Sequence, residues 1–176
     1  ARTFGPVWLG RIVAVYVELI RNTPFIVQLF FIFFGLPALG LKLSETTAAF
    51  LAMVINLGAY STEIIRAGIE AVPKGHIEAG LSLAMTKWEV LRRIVLNQAF
   101  RKIYPALSSQ IIIVMLGSAV VSQISAEDLT YAANFVASRN FRNFEVYLLA
   151  ALAYLLLAML TRSLLRALGR VMFKAK

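Results

Sequence analysis

Apolar and polar positions fall in long blocks along this chain. Charge-free runs cover residues 22–41, 46–62, 103–126 and 146–161. A helix needs about 20 residues to cross the hydrocarbon core, with a range of about 17 to 25. The first and third runs meet that outright. The other two reach it when the flanking Glu63, Arg66, Glu145 and Arg162 sit at the interface with their charges turned to water. The pattern predicts an all-α fold: a polytopic transmembrane helical bundle of about four spans, forming one domain over residues 1–176. A charged, helix-compatible loop at 66–102 separates the second and third spans, and a shorter polar segment at 127–145 separates the third and fourth.

Local signals add detail. Trp8, Ile12, Val15 and Leu19 recur at helical spacing with Arg11 and Glu18 off the stripe, which predicts a helix at the interface or leading into the first span. Thr23–Pro24 reads as a helix start, a capping hydroxyl before a proline at the first position. Gly35 to Gly40 loosens the outer end of that span. Thr86 followed by Glu89 is a capping box, so a helix begins near Lys87 and runs toward Lys102, and Tyr104–Pro105 marks the entry to the third span. Ser125 and Asp128 repeat the box spacing and predict a short external helix. No internal repeat or soluble domain boundary is visible.

Composition agrees: 60% of residues are hydrophobic, more than a soluble domain of this size needs. The net charge of +9 invites a nucleic-acid reading, but its distribution argues against one. Arg66, Lys74, Lys87, Arg92, Arg93, Arg101 and Lys102 crowd the long loop, and Arg162, Arg166, Arg170, Lys174 and Lys176 the tail. Arg2, Arg11 and Arg21 precede the first span. That asymmetry places the loop and the C-terminus in the cytoplasm and leaves no soluble basic face for nucleic acid. Cysteine is absent, which removes thiolate chemistry and disulfides. The start, Ala1–Pro6, lacks the features of a signal peptide and an initiator methionine, so the chain is expected to begin partway through a longer product.

Candidate chemistry is sparse. Gly75 to Ser82 copies the spacing of a phosphate-binding loop, but Leu81 stands where lysine is required. His76 is the one histidine, so a His-based metal pair and a serine–histidine nucleophile are both unavailable. Polar residues inside the spans say more. Asn56, Tyr60 and Glu63 share a face of the second span, and Ser118, Ser122 and Ser125 a face of the third, with Gln110 and Gln123 nearby. Two readings stand: a hydrophilic pathway, or polar glue between packed helices. The loop segment Ile77 to Met85 sets small Ala79, Gly80 and Ala84 beside Glu78, suiting close approach to a partner groove. A lipid-surface amphipathic helix is the rival reading.

This loop resembles the EAA coupling motif of ATP-binding-cassette importer permeases: Glu-Ala-Ala, three residues, then Gly. Arg21 to Phe30, Phe34 to Pro37 and Gly58 to Ile69 resemble the polar amino acid (histidine/glutamine-type) subgroup. The likeness covers essentially the whole chain in order. Gly80 replaces the second Ala, Ala84 stands where Gly is usual, and Met115 to Ala119 departs from the subgroup's third-span pattern. Members usually have five spans, so a missing N-terminal first span is expected.

The resemblance implies a bacterial inner-membrane permease subunit with no cofactor of its own, ATP and Mg being bound by a partner ATPase. Implied partners are cytoplasmic ABC ATPase subunits, a second permease copy or paralogue, an external solute-binding protein, a polar amino acid and membrane lipid. Glu78, Ala79 and Gly80 are the implied docking residues, with Leu83, Ala84 and Met85 completing the contact; Gly80→Trp is expected to exclude the partner. Asn56, Tyr60, Ser118 and Ser122 are the pathway candidates. An ATP-independent carrier or channel is the alternative, and it would more often bury an ionisable residue mid-span.

Overall fold

The computed structural model describes residues 7–173; Ala1–Pro6 and the basic Lys174 and Lys176 lie outside them. The described chain is helical: α1 (Val7–Arg21), α2 (Phe25–Ala38, with a π-helical turn at Phe31–Gly35), α3 (Glu45–Glu70), α4 (Lys74–Ser82), α5 (Lys87–Ile124), α6 (Leu129–Asn140) and α7 (Asn143–Met172). Helices α3, α5 and α7 are long and apolar enough to cross a bilayer. The fourth crossing is not the straight span predicted at 22–41. In its place stand two helices, α1 and α2, bent by 107°, which are long and apolar enough to cross only when taken together.

The break has a local cause. Pro24 has no N–H to continue α1, and it sits in extended backbone as the residue before α2. Thr23, expected to cap α2, turns back instead: its hydroxyl donates to the Leu19 carbonyl at 2.8 Å and closes α1. Ser44 caps α3 by accepting the Thr47 N–H at 3.3 Å. Thr86 and Glu89 form the full capping box that starts α5.

From there α5 runs 38 residues without a break, so Tyr104–Pro105 is not an entry between two elements. Pro105 sits inside the helix. The carbonyl it leaves unbonded belongs to Arg101, an exposed residue at the charged end of the span, where the loss costs least. At the far end Ser125 does not start α6. It closes the preceding turn in left-handed backbone (φ 61°), and Asp128 caps α6 by accepting the Tyr131 N–H at 2.8 Å.

Two apolar cores stack along the membrane normal. The outer one joins Leu29 and Ile32 of α2 to Ala48, Ala49 and Ala52 of α3, and to Val121, Ile124 and Ala126 beyond them. The inner one joins Val72 to Val90, Val95, Ala99 and Ile103. Three contacts mark one level at the inner end: Arg21–Glu63 at 3.6 Å, Lys102 Nζ to the Ala71 carbonyl at 2.6 Å, and the Tyr104 hydroxyl to the Leu165 carbonyl at 2.5 Å. The basic loop and the basic turns of α7 therefore share one end of the bundle, as the positive-inside rule requires. Helix α7 buries none of its residues in this chain.

Lipid is as apolar as leucine, so these helices are held by close packing of small residues rather than by a hydrophobic drive. Gly68 is the tightest case: a Cβ there would lie 2.1 Å from Ile103 Cγ1. Gly68→Ala is expected to destabilise the α3–α5 contact by about 1–3 kcal/mol. Thermal unfolding in detergent should show a lower midpoint for Gly68→Ala, and a double-mutant cycle with Ile103→Ala should show coupling, the two changes together costing less than the sum of the single ones.

Candidate functional site

Between the two cores the packing opens. A cavity of about 450 Å³ is walled by the α1–α2 corner at Thr23, Pro24 and Phe25, by Met53, Asn56 and Tyr60 of α3, and by Gln110, Ile113, Val114 and Gly117 of α5. The level follows from the helices themselves. On α3 the outer core takes residues 48–52 and the inner packing begins at Ile64; on α5 the inner core ends at Ile103 and the outer begins at Val121. The cavity residues lie between, near mid-membrane.

One glutamine holds the corner of this cavity in place. Gln28 is 8% exposed. Its amide nitrogen donates to the Ile20 carbonyl at 2.7 Å and the Thr23 carbonyl at 3.0 Å, supplying partners to carbonyls stranded by the bend. Its oxygen accepts Asn56 Nδ2 at 3.0 Å. The bend between α1 and α2 is thus tied to the middle of α3. Toward the cytoplasmic rim, the Arg21 guanidinium lies 5.5 Å from the Tyr60 ring centroid and pairs with Glu63. Glu63 also bonds Arg66, which bonds Glu70.

Of the pathway candidates, Asn56 and Tyr60 line this cavity and Ser118 and Ser122 do not. The Ser118 hydroxyl donates to the Met115 carbonyl at 2.7 Å and the Ser122 hydroxyl to the Ala119 carbonyl at 2.8 Å. Both sit where α5 tightens into a 3₁₀ turn over 118–124, which rotates their face off the helical row read from the sequence. Gln28 was not singled out by the sequence reading. The available signal was a lone amide in an otherwise apolar run. Gln110 was noticed only as a neighbour of the serines, yet it faces the cavity.

The loop at 66–102 folds around α4. At about 100° per residue, Gly75, Glu78, Ala79 and Ser82 fall on its outward side, and all four are exposed. The spacing that copied a phosphate-binding loop is helix here. His76 Nδ1 is linked to Gln98 Oε1 at 2.8 Å on the exposed surface. Gly80 faces inward: a Cβ would lie 2.7 Å from Ile94 Cδ1 and 3.0 Å from Val90 Cγ2. This corrects the expectation for Gly80→Trp, whose first clash is with α5 and not with a partner.

The helix ends in a Schellman motif, with Met85 N–H to the Gly80 carbonyl at 3.2 Å and Ala84 N–H to the Leu81 carbonyl at 3.0 Å. That motif requires left-handed backbone at Ala84 (φ 56°), which explains why glycine suits this position. Met85 packs half-buried against the inner core, while Leu83 is 78% exposed.

Long apolar helices around a cavity, with a basic loop and its short helix projecting at one end, are the parts of a transport-type membrane subunit. The chain belongs to the family described as "Binding-protein-dependent transport system inner membrane component", which matches residues 2–174. It is 38% identical over 175 residues to the glutamine transport system permease protein GlnP of Escherichia coli K12, covering 98% of this chain and 80% of that one. It is 40% identical over 153 residues to the L-cystine transport system permease protein TcyB of Bacillus subtilis 168, covering 86% and 65%. Among solved structures, a chain from an amino acid ABC transporter crystallised with histidines superposes with a TM-score of 0.87 at 38% identity, covering 94% of this chain and 78% of that one. The MetNI methionine transporter shares the fold, with a TM-score of 0.75 at 20% identity.

Ala84→Gly is expected to stabilise the loop by about 0.5–1 kcal/mol, because the relief of left-handed strain exceeds the added freedom of the unfolded chain. Slower amide hydrogen exchange at Met85 in this variant, and faster exchange in Ala84→Val, would bear that out.

Proposed function

We propose that this chain is the membrane-spanning subunit of an ATP-driven importer of polar amino acids in the bacterial cytoplasmic membrane. It pairs with a second copy or a close relative. An external solute-binding protein delivers the amino acid, and cytoplasmic ABC ATPase subunits bind ATP and Mg and carry out hydrolysis. The chain itself supplies the pathway and the mechanical link.

One observation carries this reading: α5 is far too long for the membrane it crosses. At about 1.5 Å per residue, residues 103–124 already span roughly 33 Å, close to the hydrocarbon thickness. Residues 87–102 extend roughly a further 24 Å into the cytoplasm, and α4 packs along them, Gly80 against Val90 and Ile94 and His76 against Gln98. A carrier working alone has no use for such a projection. The outward face of α4 presents Glu78 and Ala79 beside the exposed Leu83, a small-residue surface with one charge and one apolar anchor, suited to seating in a protein groove. Closure and opening of the ATPases would move this helix, and the inner core would transmit the motion to α3 and α5.

Charge reversal on this face leaves the spans untouched. Glu78→Lys is expected to insert normally while transport falls by about tenfold or more, the effect of a like or misplaced charge at a docking surface. Uptake of labelled amino acid by cells carrying the variant, with detergent pull-down of the full-length protein, reads both points. Normal uptake by the variant, or an unsubstituted, well-folded permease that retains no ATPase, counts against the reading.

A further inference from the structure

Basic residues of a membrane protein gather at its cytoplasmic end, yet Arg139 and Arg142 stand at the other, where α6 turns into α7. Arg142 pairs with Glu145 at 3.0 Å. The Arg139 guanidinium lies 4.1 Å from the Phe135 ring centroid and meets no carboxylate among the described residues. The acids beside α6, Glu127 and Asp128, stand at its other end, roughly 16 Å along the axis from Arg139. The corner therefore holds one uncompensated positive charge.

The same corner exposes two aromatic rings. Phe141 is 85% exposed and Phe144 78%. Phe141 also holds left-handed backbone (φ 58°), where glycine or asparagine is ordinary and a bulky residue is strained. A strained residue whose ring touches almost nothing of its own chain points to a partner outside it.

Depth identifies that partner. Leu165 of α7 lies at the inner level marked by its contact with Tyr104. Counted back along α7 at about 1.5 Å per residue, Phe144 is roughly 32 Å away, against about 30 Å for the hydrocarbon core. Phe144 also heads a stripe of exposed apolar side chains at helical spacing, Leu148, Leu152 and Leu155, on the helix that buries nothing in this chain. The two rings fall at the outer edge of the hydrocarbon and the guanidiniums just beyond, at the height of phospholipid phosphates. Arginine and aromatic residues also favour protein contacts, but the depth and the continuous apolar stripe favour lipid.

We propose that the α6–α7 corner binds an anionic phospholipid of the outer leaflet, with Arg139 and Arg142 on the phosphate and Phe141 and Phe144 against the upper acyl chain. A guanidinium fits phosphate oxygens as a fork, and Arg142 keeps donors free beyond the Nε and Nη2 it gives to Glu145. The site has a mechanical consequence. Tyr147 donates to Asn134 at 2.8 Å and Tyr154 to Asp128 at 2.9 Å, tying α7 to α6. Lipid held at the corner thus sets both helices at one depth. This goes beyond the importer reading and does not depend on it.

The test uses the full-length protein in nanodiscs, with Phe144→Trp as a local reporter read as the difference from the parent, which already carries Trp8 and Trp88. Phosphatidylglycerol and phosphatidylcholine brominated high on the acyl chain serve as quenchers in a phosphatidylcholine bilayer. Both should quench the reporter. Competition should give phosphatidylglycerol at least about fivefold higher relative affinity, as one net charge at an anionic headgroup provides. Arg139→Gln/Arg142→Gln should bring that ratio to about one. Raising salt to about 1 M should lower it with the arginines in place, which keeps the test decisive should the double variant fail to fold.

No quenching by either lipid, a ratio near one before substitution, or a ratio untouched by the arginine changes or by salt would overturn the assignment. So would loss of quenching on adding the purified external binding protein, which would mark the corner as a protein contact.

Discussion

The seam between α3 and α5 is the constraint on which the rest of the molecule depends. Backbone groups inside a bilayer must be satisfied within each helix, so the helices can only be joined by side-chain contact. Here the contact is made by removing side chains. Ala48, Ala52 and Ala59 are fully buried on α3, and Gly68 takes Ile103 directly against its backbone. Helix α2 packs on the outer part of this seam and α4 on the inner part. The cavity exists because the small-residue contact is interrupted between the two cores, where Asn56 and Tyr60 face Gln110 across a gap.

Polar side chains in this gap divide into two kinds, and the division explains the site. Gln28 is saturated: it satisfies the carbonyls stranded by the α1–α2 bend and accepts from Asn56. Such a group holds shape. Gln110 makes no side-chain hydrogen bond among the described residues, and its amide is open to the cavity. Ser118 and Ser122 belong to neither kind, since each returns its proton to its own helix. Polarity within a span therefore does not mark a pathway by itself. What matters is whether the polar atom has already been used.

How much of this was legible beforehand follows the same physics. Long apolar blocks and the basic asymmetry are set by the bilayer, so the spans, the loop and its sidedness could be read from composition. The capping box at Thr86 and Glu89 is a contact over three residues and was equally visible. The bend at Thr23–Pro24 was misread because capping hydroxyls serve either helix end, and only Gln28 and Asn56 decide which. Pro105 was read as a boundary, yet the continuous ladder on either side carries α5 through it. Gly80 looked like a partner contact because smallness is ambiguous: a missing side chain admits a neighbour from whichever side the helix turns it. Gln110 lay among other polar residues on α5, and nothing short of the cavity separates it from them.

The overhang of α5 makes the helix a first-class lever. The pivot is the Gly68–Ile103 contact, the tightest point along the seam. One arm reaches roughly 24 Å to the start of the helix, and the other roughly 10 Å to Gln110. A rod turning by about 10° on that pivot carries its cytoplasmic end through about 4 Å and Gln110 through a little under 2 Å the other way. Gearing down by a factor of about two matches the scales at the two ends: ångströms enough for a protein surface to push against at one, and a shift the size of a side-chain contact at the cavity wall at the other.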